Sequence, residues 1–426
     1  MIRMIAAACF VAQAHYAAAA VAQESGYERQ RTAAAELAEM CQADGGRLWG
    51  LSLCGPVIVV DPQTRAAWAN QADAGGVLRA AGTGWIGVLP DDAPIANTAI
   101  EWSGVRWTML MSLPENATDR RVLLAHEAWH RIQPELGLVT RNTDNAHLEE
   151  ERGRYLLRLE FRALRTAMEA RGSARWRAAG DALQLRAARL RDYSAAAEEE
   201  AALDRNEGLA AYTGVKLGAA DDAHAYAART LERHDANEAY SRSYAYGSGP
   251  AYGLLLDERR PGWQASIGAA APADVLAQAL RVRPSAGALA RAERRHDPEG
   301  HVAAAEAKRG EAHRALVAEL RTRYGPGSRK LVLTIDPRGM SFDPRRVTPV
   351  AGVGKVFGVF SARGPWGSLQ AKDGALVTAD FSQVTVADPA GDGLSGPGWT
   401  LTLTPGYRIS EPDADGALRV IPPQAP

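Results

Sequence analysis

The chain contains little cysteine, no excess of charge of either sign and, after its first residues, no long apolar run. Three of its 426 residues are cysteine, which argues against a zinc site built from thiolates. The formal net charge is −1, so the overall balance does not indicate a nucleic-acid partner. Because no later stretch is long and apolar enough, we expect no stable membrane insertion.

The N-terminal stretch MIRMIAAACFVAQAHYAAAAVAQES has the pattern of a targeting segment. Arg3 precedes an apolar stretch, and a small-x-small cleavage pattern ends at Ala22. We therefore predict a signal peptide over 1–22, with cleavage near Ala22/Gln23 and export to the periplasm or the exterior. The alternative is an alanine-rich surface helix.

Export would leave Cys41 and Cys54 as an even pair of cysteines in an oxidising compartment. They flank the stretch QADGGRLWGLSL, in which Gly45-Gly46 indicates a turn between two short extended segments. We predict a disulfide between these two cysteines. The alternative is that each is an independent small apolar side chain.

Hydrophobic patterning divides the rest of the chain into three parts. Residues 45–113 carry β-branched, aromatic and apolar runs punctuated by glycine and proline, whereas 118–325 show helical spacing. Residues 328–426 contain short strand-like runs separated by Gly, Pro and Asp, which predicts an all-β, sandwich-like module. We expect an α+β fold with one domain over 23–327, followed by this C-terminal β module.

The stretch VLLAHEAWHRIQ places two histidines four residues apart in a predicted helix, which we expect to be capped near Asp119 and to end at Pro134. Residues i and i+4 share one face of a helix, so His126 and His130 can bind one ion. Glu127, rotated by about 100°, can reach a water on that ion. Zinc lowers the pKa of its bound water towards 7, and a neighbouring carboxylate can take the proton. The alternative is a helix face with two ordinary histidines.

A catalytic zinc needs three protein ligands and an open position, so a third ligand should follow. The cluster Glu149–Glu151 is one candidate, but each member has an arginine three or four residues away, which predicts solvated, salt-bridged carboxylates. Glu207 has no such neighbour. It shares a face with Ala210, Ala211 and Gly214, so its helix can approach another closely, and its carboxylate needs a cation. We favour Glu207 and keep the cluster as the alternative.

The combination of HEAWH with a downstream NEGLAAY resembles the gluzincin metallopeptidases, especially the aminopeptidase N-like and peptidase MA-like groups. The resemblance covers residues 118–258. It implies a thermolysin-like zincin domain with a small β-sheet and a mainly helical lobe, one Zn²⁺ ion bound by His126, His130 and Glu207, and Glu127 as the base. The chain departs from the family in the long gap between the two motifs and in lacking a Gly-Ala-Met-Glu-Asn element.

A third stretch, SYAYGSGPAYGLLLD, resembles the Tyr-x-x-Gly helix of the same family. The resemblance implies that Tyr246, followed by Gly249, donates a hydrogen bond to the oxyanion of the tetrahedral intermediate. Tyr244 is the reserve for this role. The alternative for Tyr246 is an aromatic residue of the core.

The function predicted from these features is that of an exported zinc peptidase with a peptide or protein substrate. The strand VRWTMLM, residues 105–111, is either an edge that an extended peptide joins by strand addition or a strand of the buried core. One rival is a non-catalytic exported binding or envelope protein on a gluzincin scaffold, and another is a metal-independent helical scaffold. Glu127 favours the enzyme, because it is required only for chemistry.

Overall fold

A computed structural model of the chain describes residues 26–138, 143–343, 346–350 and 352–423, and the predicted signal peptide lies outside the described residues. None of the helices in these ranges is both long and apolar enough to cross a membrane. The α-helices in these ranges are α1 (Glu28–Asp44), α2 (Ala117–Ile132), α3 (Glu151–Glu169), α4 (Gly172–Asp192), α5 (Ala196–Leu203), α6 (Leu209–Gly218), α7 (Ala223–Asp235), α8 (Tyr244–Arg259), α9 (Pro272–Leu280), α10 (Ala286–His296) and α11 (His301–Arg323). A π-helical turn over Asp204–Gly208 connects α5 to α6.

One group of strands lies between α1 and α2, and another group follows α11. They are β1 (Val57–Val60), β2 (Ala66–Ala69), β3 (Arg79–Ala81), β4 (Gly84–Val88), β5 (Thr98–Trp102), β6 (Val105–Leu110), β7 (Lys330–Thr334), β8 (Met340–Phe342), β9 (Val347–Val350), β10 (Gly354–Phe357), β11 (Phe360–Gly364), β12 (Gly367–Ala371), β13 (Ala375–Val377), β14 (Gln383–Ala387), β15 (Ser395–Gly396), β16 (Trp399–Leu403), β17 (Arg408–Ile409) and β18 (Ala417–Ile421). The mixed α/β class is confirmed, as is a helical part followed by a strand-rich C-terminal region.

By its internal contacts the chain divides into two compact units. Unit 1 comprises the described residues up to Leu138 together with Leu209–Tyr226 and Arg260–Ala269. Unit 2 comprises the described residues between 143 and 208, Ala227–Arg259 and the described residues from Ala270 onwards. Because both units are discontinuous in sequence, neither corresponds to a single stretch of the composition pattern.

Unit 1 contains a six-stranded sheet in the order β3-β4-β2-β1-β6-β5. β1 pairs with β6 in parallel, and the other neighbours are antiparallel. Alternate side chains of the central strands, such as Ile58 and Val60 of β1 and Trp107 and Met109 of β6, form one hydrophobic core. Since β6 lies between two strands, the second interpretation of VRWTMLM is correct: it is a core strand, and β5 is the edge strand on that side.

Helix α6 packs along α2 within unit 1, and glycine makes the close approach possible. A Cβ atom on Gly214 would lie 2.5 Å from the carbonyl oxygen of Val122 and 3.3 Å from the Cβ of His126. One on Gly218 would collide with the backbone of the same valine. The small face predicted for the helix that follows Glu207 is therefore the face that contacts α2.

Four aromatic side chains pack together in unit 1 and hold these two helices. The ring centroid of Trp49 lies 5.7 Å from that of Trp129 on α2, 6.4 Å from that of Tyr212 on α6 and 6.1 Å from that of Trp263. All three pairs are edge-on, the geometry that aromatic quadrupoles favour. The indole Nε1–H of Trp49 also donates to Oγ1 of Thr213 at 2.9 Å, so a buried polar group is satisfied between the helices.

The predicted disulfide between Cys41 and Cys54 is confirmed, with a Cα–Cα distance of 5.2 Å. It closes the loop that carries Trp49. The guanidinium of Arg131, in the last turn of α2, donates to the carbonyl oxygen of Cys54 at 2.8 Å. The loop is thus attached to α2 at one point by an aromatic contact and at another by a hydrogen bond.

The C-terminal part of unit 2 consists of a seven-stranded sheet in the order β17-β18-β7-β14-β13-β10-β9 and a five-stranded sheet in the order β15-β16-β12-β11-β8. One hydrophobic core takes side chains from both sheets, including Leu331 and Phe357 from the first and Leu369 and Trp399 from the second. Each sheet therefore buries one face against the other.

Candidate metal centre

Helix α2 carries the histidine pair, and its ends follow from local capping. The side chain of Asn116 accepts a hydrogen bond from the backbone N–H of Asp119 at 3.0 Å, and the helix begins at Ala117. The cap expected near Asp119 is therefore Asn116, three residues earlier. The helix ends at Ile132, as expected from Pro134, which cannot continue it.

The two histidines of α2 point their Nε2 atoms at one place. These atoms lie 3.2 Å apart, and both side chains are largely buried. Two nitrogens bound to one tetrahedral zinc ion at the usual bond length would lie about 3.3 Å apart. The same distance also suits a hydrogen bond between the rings. Either way, the two ring nitrogens of His126 and His130 converge as a pair of zinc ligands must.

Gln133 determines the tautomer of the second histidine. Its Oε1 atom lies 3.0 Å from Nδ1 of His130. Because an amide oxygen can only accept, Nδ1 of His130 carries the proton and Nε2 keeps its lone pair. Metal-binding histidines usually have such a partner on the other ring nitrogen. Gln133 was not among the predicted site residues, although it lies one helical turn after His130 and its spacing could have indicated it.

The three predicted ligands come together. The ligand atoms of His126, His130 and Glu207 all lie within 4.8 Å of one another. Glu207 lies in the π turn that leads directly into α6, and α6 packs along α2. Its Oε1 atom also accepts a hydrogen bond from Nδ2 of Asn206 at 2.9 Å. Two imidazoles and one carboxylate form a donor set that suits zinc, so the residues fit the ion that the resemblance implies.

Glu127 is buried in α2, with 4% of its surface exposed. It follows His126 directly, so its side chain leaves the helix at about 100° from that ligand. It is therefore close to the ligand set without lying on the same line of the helix as the two histidines. That placement suits a group that handles protons beside the ion.

The alternative third ligands, Glu149–Glu151, have other roles. The carboxylate of Glu149 accepts from the backbone N–H of Ser241 at 2.9 Å and pairs with Arg154 and Arg309. It is 1% exposed, so the expectation of a solvated carboxylate is wrong for this residue. Glu149 does form ion pairs, but not with Arg152, the arginine three residues away. Burial raises its pKa, and the arginines oppose this shift.

The other two members of that cluster are outside the core. Glu150 is exposed and precedes the first turn of α3. Glu151 pairs with Arg314 at 3.1 Å on a partly exposed surface. In the described part of the chain, the group of three possible metal ligands contains Glu207 and no member of this cluster.

The two tyrosines proposed for oxyanion stabilisation differ in their surroundings. Tyr244 is fully buried in unit 2, and its hydroxyl donates to the carbonyl oxygen of Glu200 at 2.7 Å. Burial raises the pKa of its phenol well above the usual value. Tyr246 is half-buried and lies one turn before Gly249 on α8. Tyr244 thus has a structural hydrogen bond, and Tyr246 remains the predicted donor.

Searches of family models, curated proteins and solved structures find nothing that matches this chain. The resemblance to gluzincins therefore stays a prediction that depends on HEAWH, NEGLAAY and the convergence of their side chains.

Proposed function

We propose that the protein is an exported zinc-dependent peptidase of the gluzincin type, with a thermolysin-like catalytic domain. The observation that supports this most directly is the convergence of the ligand atoms of His126, His130 and Glu207 within 4.8 Å of one another. Glu127, which a purely structural metal site does not need, is buried and directly follows His126 in α2. The disulfide supports export, since such bonds persist in oxidising compartments.

In the proposed reaction, a bound zinc ion would acidify a water molecule and polarise the peptide carbonyl. Glu127 accepts the proton of that water as it attacks, and then delivers the proton to the leaving amine. Tyr246 donates its hydroxyl proton in a hydrogen bond to the carbonyl oxygen as negative charge develops there. The protonated Nδ1 of His130, bonded to Gln133, keeps the ring in the orientation that leaves Nε2 available.

An extended peptide substrate could pair with β5. Among the described strands, β5 pairs only with β6, so one of its sides offers backbone donors and acceptors for strand addition. β5 also contacts α2, the helix that carries the histidine pair, within unit 1. The substrate of this proposal is therefore a peptide or an extended segment of a protein.

The proposal is tested on mature protein that begins near Gln23. Zinc is quantified by metal analysis, and hydrolysis of a mixed peptide library is followed for wild type, Glu127→Gln and Glu311→Gln. We expect one zinc per chain in all three and a loss of activity of about 10³-fold or more only in Glu127→Gln. Glu311 is an exposed acid of α11 in unit 2 and serves as the control.

Two outcomes would contradict the proposal in different ways. Stoichiometric zinc with equal activity in wild type and Glu127→Gln would remove the catalytic role and leave a metal-containing binding protein. Protein that contains no zinc and does not take it up at micromolar concentration would remove the metal centre itself.

A further inference from the structure

Five charged side chains are buried together in unit 2, beside the turn that carries Glu207. They come from α3, α4, α5 and the π turn, and none exposes more than 2% of its surface: Glu160, Arg186, Arg189, Glu200 and Asp204. Such burial is costly unless each charge is paired and hydrogen-bonded. An apolar cluster of the same volume would serve stability equally well, so the arrangement calls for another explanation.

The five charges are two arginines and three carboxylates, and each arginine binds two of the carboxylates. Arg189 binds Glu200 through two nitrogens, at 2.6 and 2.8 Å, and its Nη1 lies 2.6 Å from a carboxylate oxygen of Glu160. Arg186 donates to Asp204 at 2.6 Å. Burial alone would raise the pKa of Glu200, but the two arginines hold it well below the usual range. Arg186 also lies 3.2 Å from a carboxylate oxygen of Glu200. Two carboxylates, Asp204 and Glu200, therefore hold this arginine in place.

The π turn is held at both of its ends. Asp204 is its first residue and is bound by Arg186 on α4. Gly208 is its last residue and touches Gly249 on α8 so closely that a Cβ atom on Gly249 would collide with the backbone of Gly208. Glu207 lies between these two attachments. Its backbone therefore has little freedom in unit 2.

The turn also separates two acidic side chains that an ordinary helix would align. In an α-helix, residues three apart share a face. The wider π turn adds one residue, and one residue corresponds to a rotation of roughly 100° along a helix. Asp204 can then meet Arg186 while Glu207 continues the face of α6 that carries Gly214 and Gly218. π turns occur frequently at functional sites.

We propose that Arg186, Asp204 and Gly249 are positioning residues, which fix the π turn so that the carboxylate of Glu207 is presented as a metal ligand. This inference rests on the proposed function, since it requires that Glu207 binds zinc. Their role is to reduce the number of conformations that the third ligand must give up on binding the ion.

Unit 2 contains a second buried carboxylate, Glu306, that can serve as a control for Asp204, because its role is structural only. Glu306 is also 2% exposed, and it accepts from Arg154 at 2.9 Å and from Arg158 at 3.0 Å. It lies on α11, far in sequence from the π turn. Removal of either carboxylate breaks a buried arginine pair, but only removal of Asp204 releases the turn before Glu207. After Asp204 is removed, two arginines still face two glutamates, so each remaining charge keeps a partner of opposite sign.

The experiment compares Asp204→Ala with Glu306→Ala, and Gly249→Ala with Gly247→Ala, in the full mature chain. Gly247 lies on the same helix as Gly249, but an added Cβ would meet the side chain of His234 at 3.1 Å and not the turn. Zinc affinity is measured by competition with a chromophoric chelator, the visible spectrum of the Co²⁺-substituted protein is recorded, and unfolding is followed separately.

We expect Asp204→Ala and Gly249→Ala to lower zinc affinity by about tenfold or more and to change the Co²⁺ spectrum, while each control keeps the wild-type affinity and spectrum even if it unfolds more easily. Equal affinities in Asp204→Ala, Gly249→Ala and their controls would overturn the positioning role while leaving the zinc site intact. If Asp204→Ala does not fold, the comparison of Gly249→Ala with Gly247→Ala decides. Wild type that binds no zinc would overturn the proposed function and this inference together.

Discussion

Gln133 orients the ring of His130 in the proposed metal centre. It accepts the Nδ1 proton of that ring, and so fixes both the tautomer and the ring plane. We predict that Gln133→Leu lowers zinc affinity by about 10- to 100-fold, since groups that orient a histidine ligand typically contribute this much. The measurement is chelator competition at pH 7.5.

Gln133→Glu separates the loss of the hydrogen bond from the change of side chain. A carboxylate also accepts the Nδ1 proton, so this variant should bind zinc at least as well as wild type. Gln42→Ala, which changes an exposed glutamine of α1, is the control and should be neutral. If Gln133→Leu bound zinc as tightly as wild type, the orienting role would be wrong.

At the scale of single residues, the sequence indicated those candidate site residues that can be recognised from residues close to them along the chain. His126, Glu127 and His130 follow from spacing, and Glu207 follows from its lack of a basic residue one turn away. The bond between Arg186 and Asp204 could not be predicted, because it depends on how α4 packs beside the π turn. Glu149 was expected at the surface for a similar reason: its partner Arg309 is distant in sequence.

The pair of helices α2 and α6 determines the distance between the two motifs. Gly214 is the closest point, since a Cβ there would lie 2.5 Å from a backbone oxygen of α2. We predict that Gly214→Ala pushes the helices apart, costs about 1–3 kcal/mol of unfolding free energy through overpacking, and also lowers zinc affinity. Urea unfolding and chelator competition measure the two effects.

Gly180→Ala is the matched control for this helix pair. Gly180 lies in the interior of α4, and no atom lies within 4 Å of the Cβ that alanine would add. Replacement of glycine by alanine in a helix should then stabilise the protein by about 0.5–1 kcal/mol and leave zinc affinity unchanged. If Gly214→Ala behaved like Gly180→Ala, the close approach of α2 and α6 would not be a requirement of the site.

Among the elements, helices with a regular apolar face and several strands were predictable, but the order of the strands within a sheet was not. The helical spacing of apolar residues indicated α2, and Pro134 indicated where it ends. The pattern of VRWTMLM indicated a strand, but whether β6 lies at an edge depends on its pairing with β1, which is about fifty residues earlier in sequence. The turn predicted at Gly45-Gly46 is present, but the two extended segments expected beside it are not: α1 ends at Asp44, and the next strand begins at Val57. Helix α1 was not predicted, because its apolar residues are mostly alanines and give a weak pattern.

At the scale of the whole molecule, the order of elements along the chain was predictable and the grouping into units was not. The helical part and the strand-rich C-terminal region follow from the change of period near residue 328. The units are discontinuous, since Leu209–Tyr226 and Arg260–Ala269 join the N-terminal residues. No change of composition marks the ends of these two segments in the sequence. The predicted domain bounds at 23–327 and 328–426 remain predictions.

The disulfide connects the stability of the folded chain to the compartment in which it works. Cys41 and Cys54 are 13 residues apart, and a loop of that size restricts the unfolded chain by about 3 kcal/mol. We predict that the double variant Cys41→Ser/Cys54→Ser loses about 2–4 kcal/mol of unfolding free energy in urea. The loss should include the packing of Trp49 on Trp129, which near-ultraviolet circular dichroism reports.

A reducing agent provides the control for this prediction. It should destabilise the wild type to the level of the double variant and should not affect the variant, which has no thiol pair to reduce. If reductant destabilised both proteins equally, the effect would come from elsewhere in the chain. If neither treatment changed the unfolding free energy, the loop would be held by Trp49 and Arg131 alone, and the protein would be as stable in a reducing cytosol as outside it. The expected result makes full stability depend on export, because the bond that supports the loop behind the histidine helix forms only where thiols are oxidised.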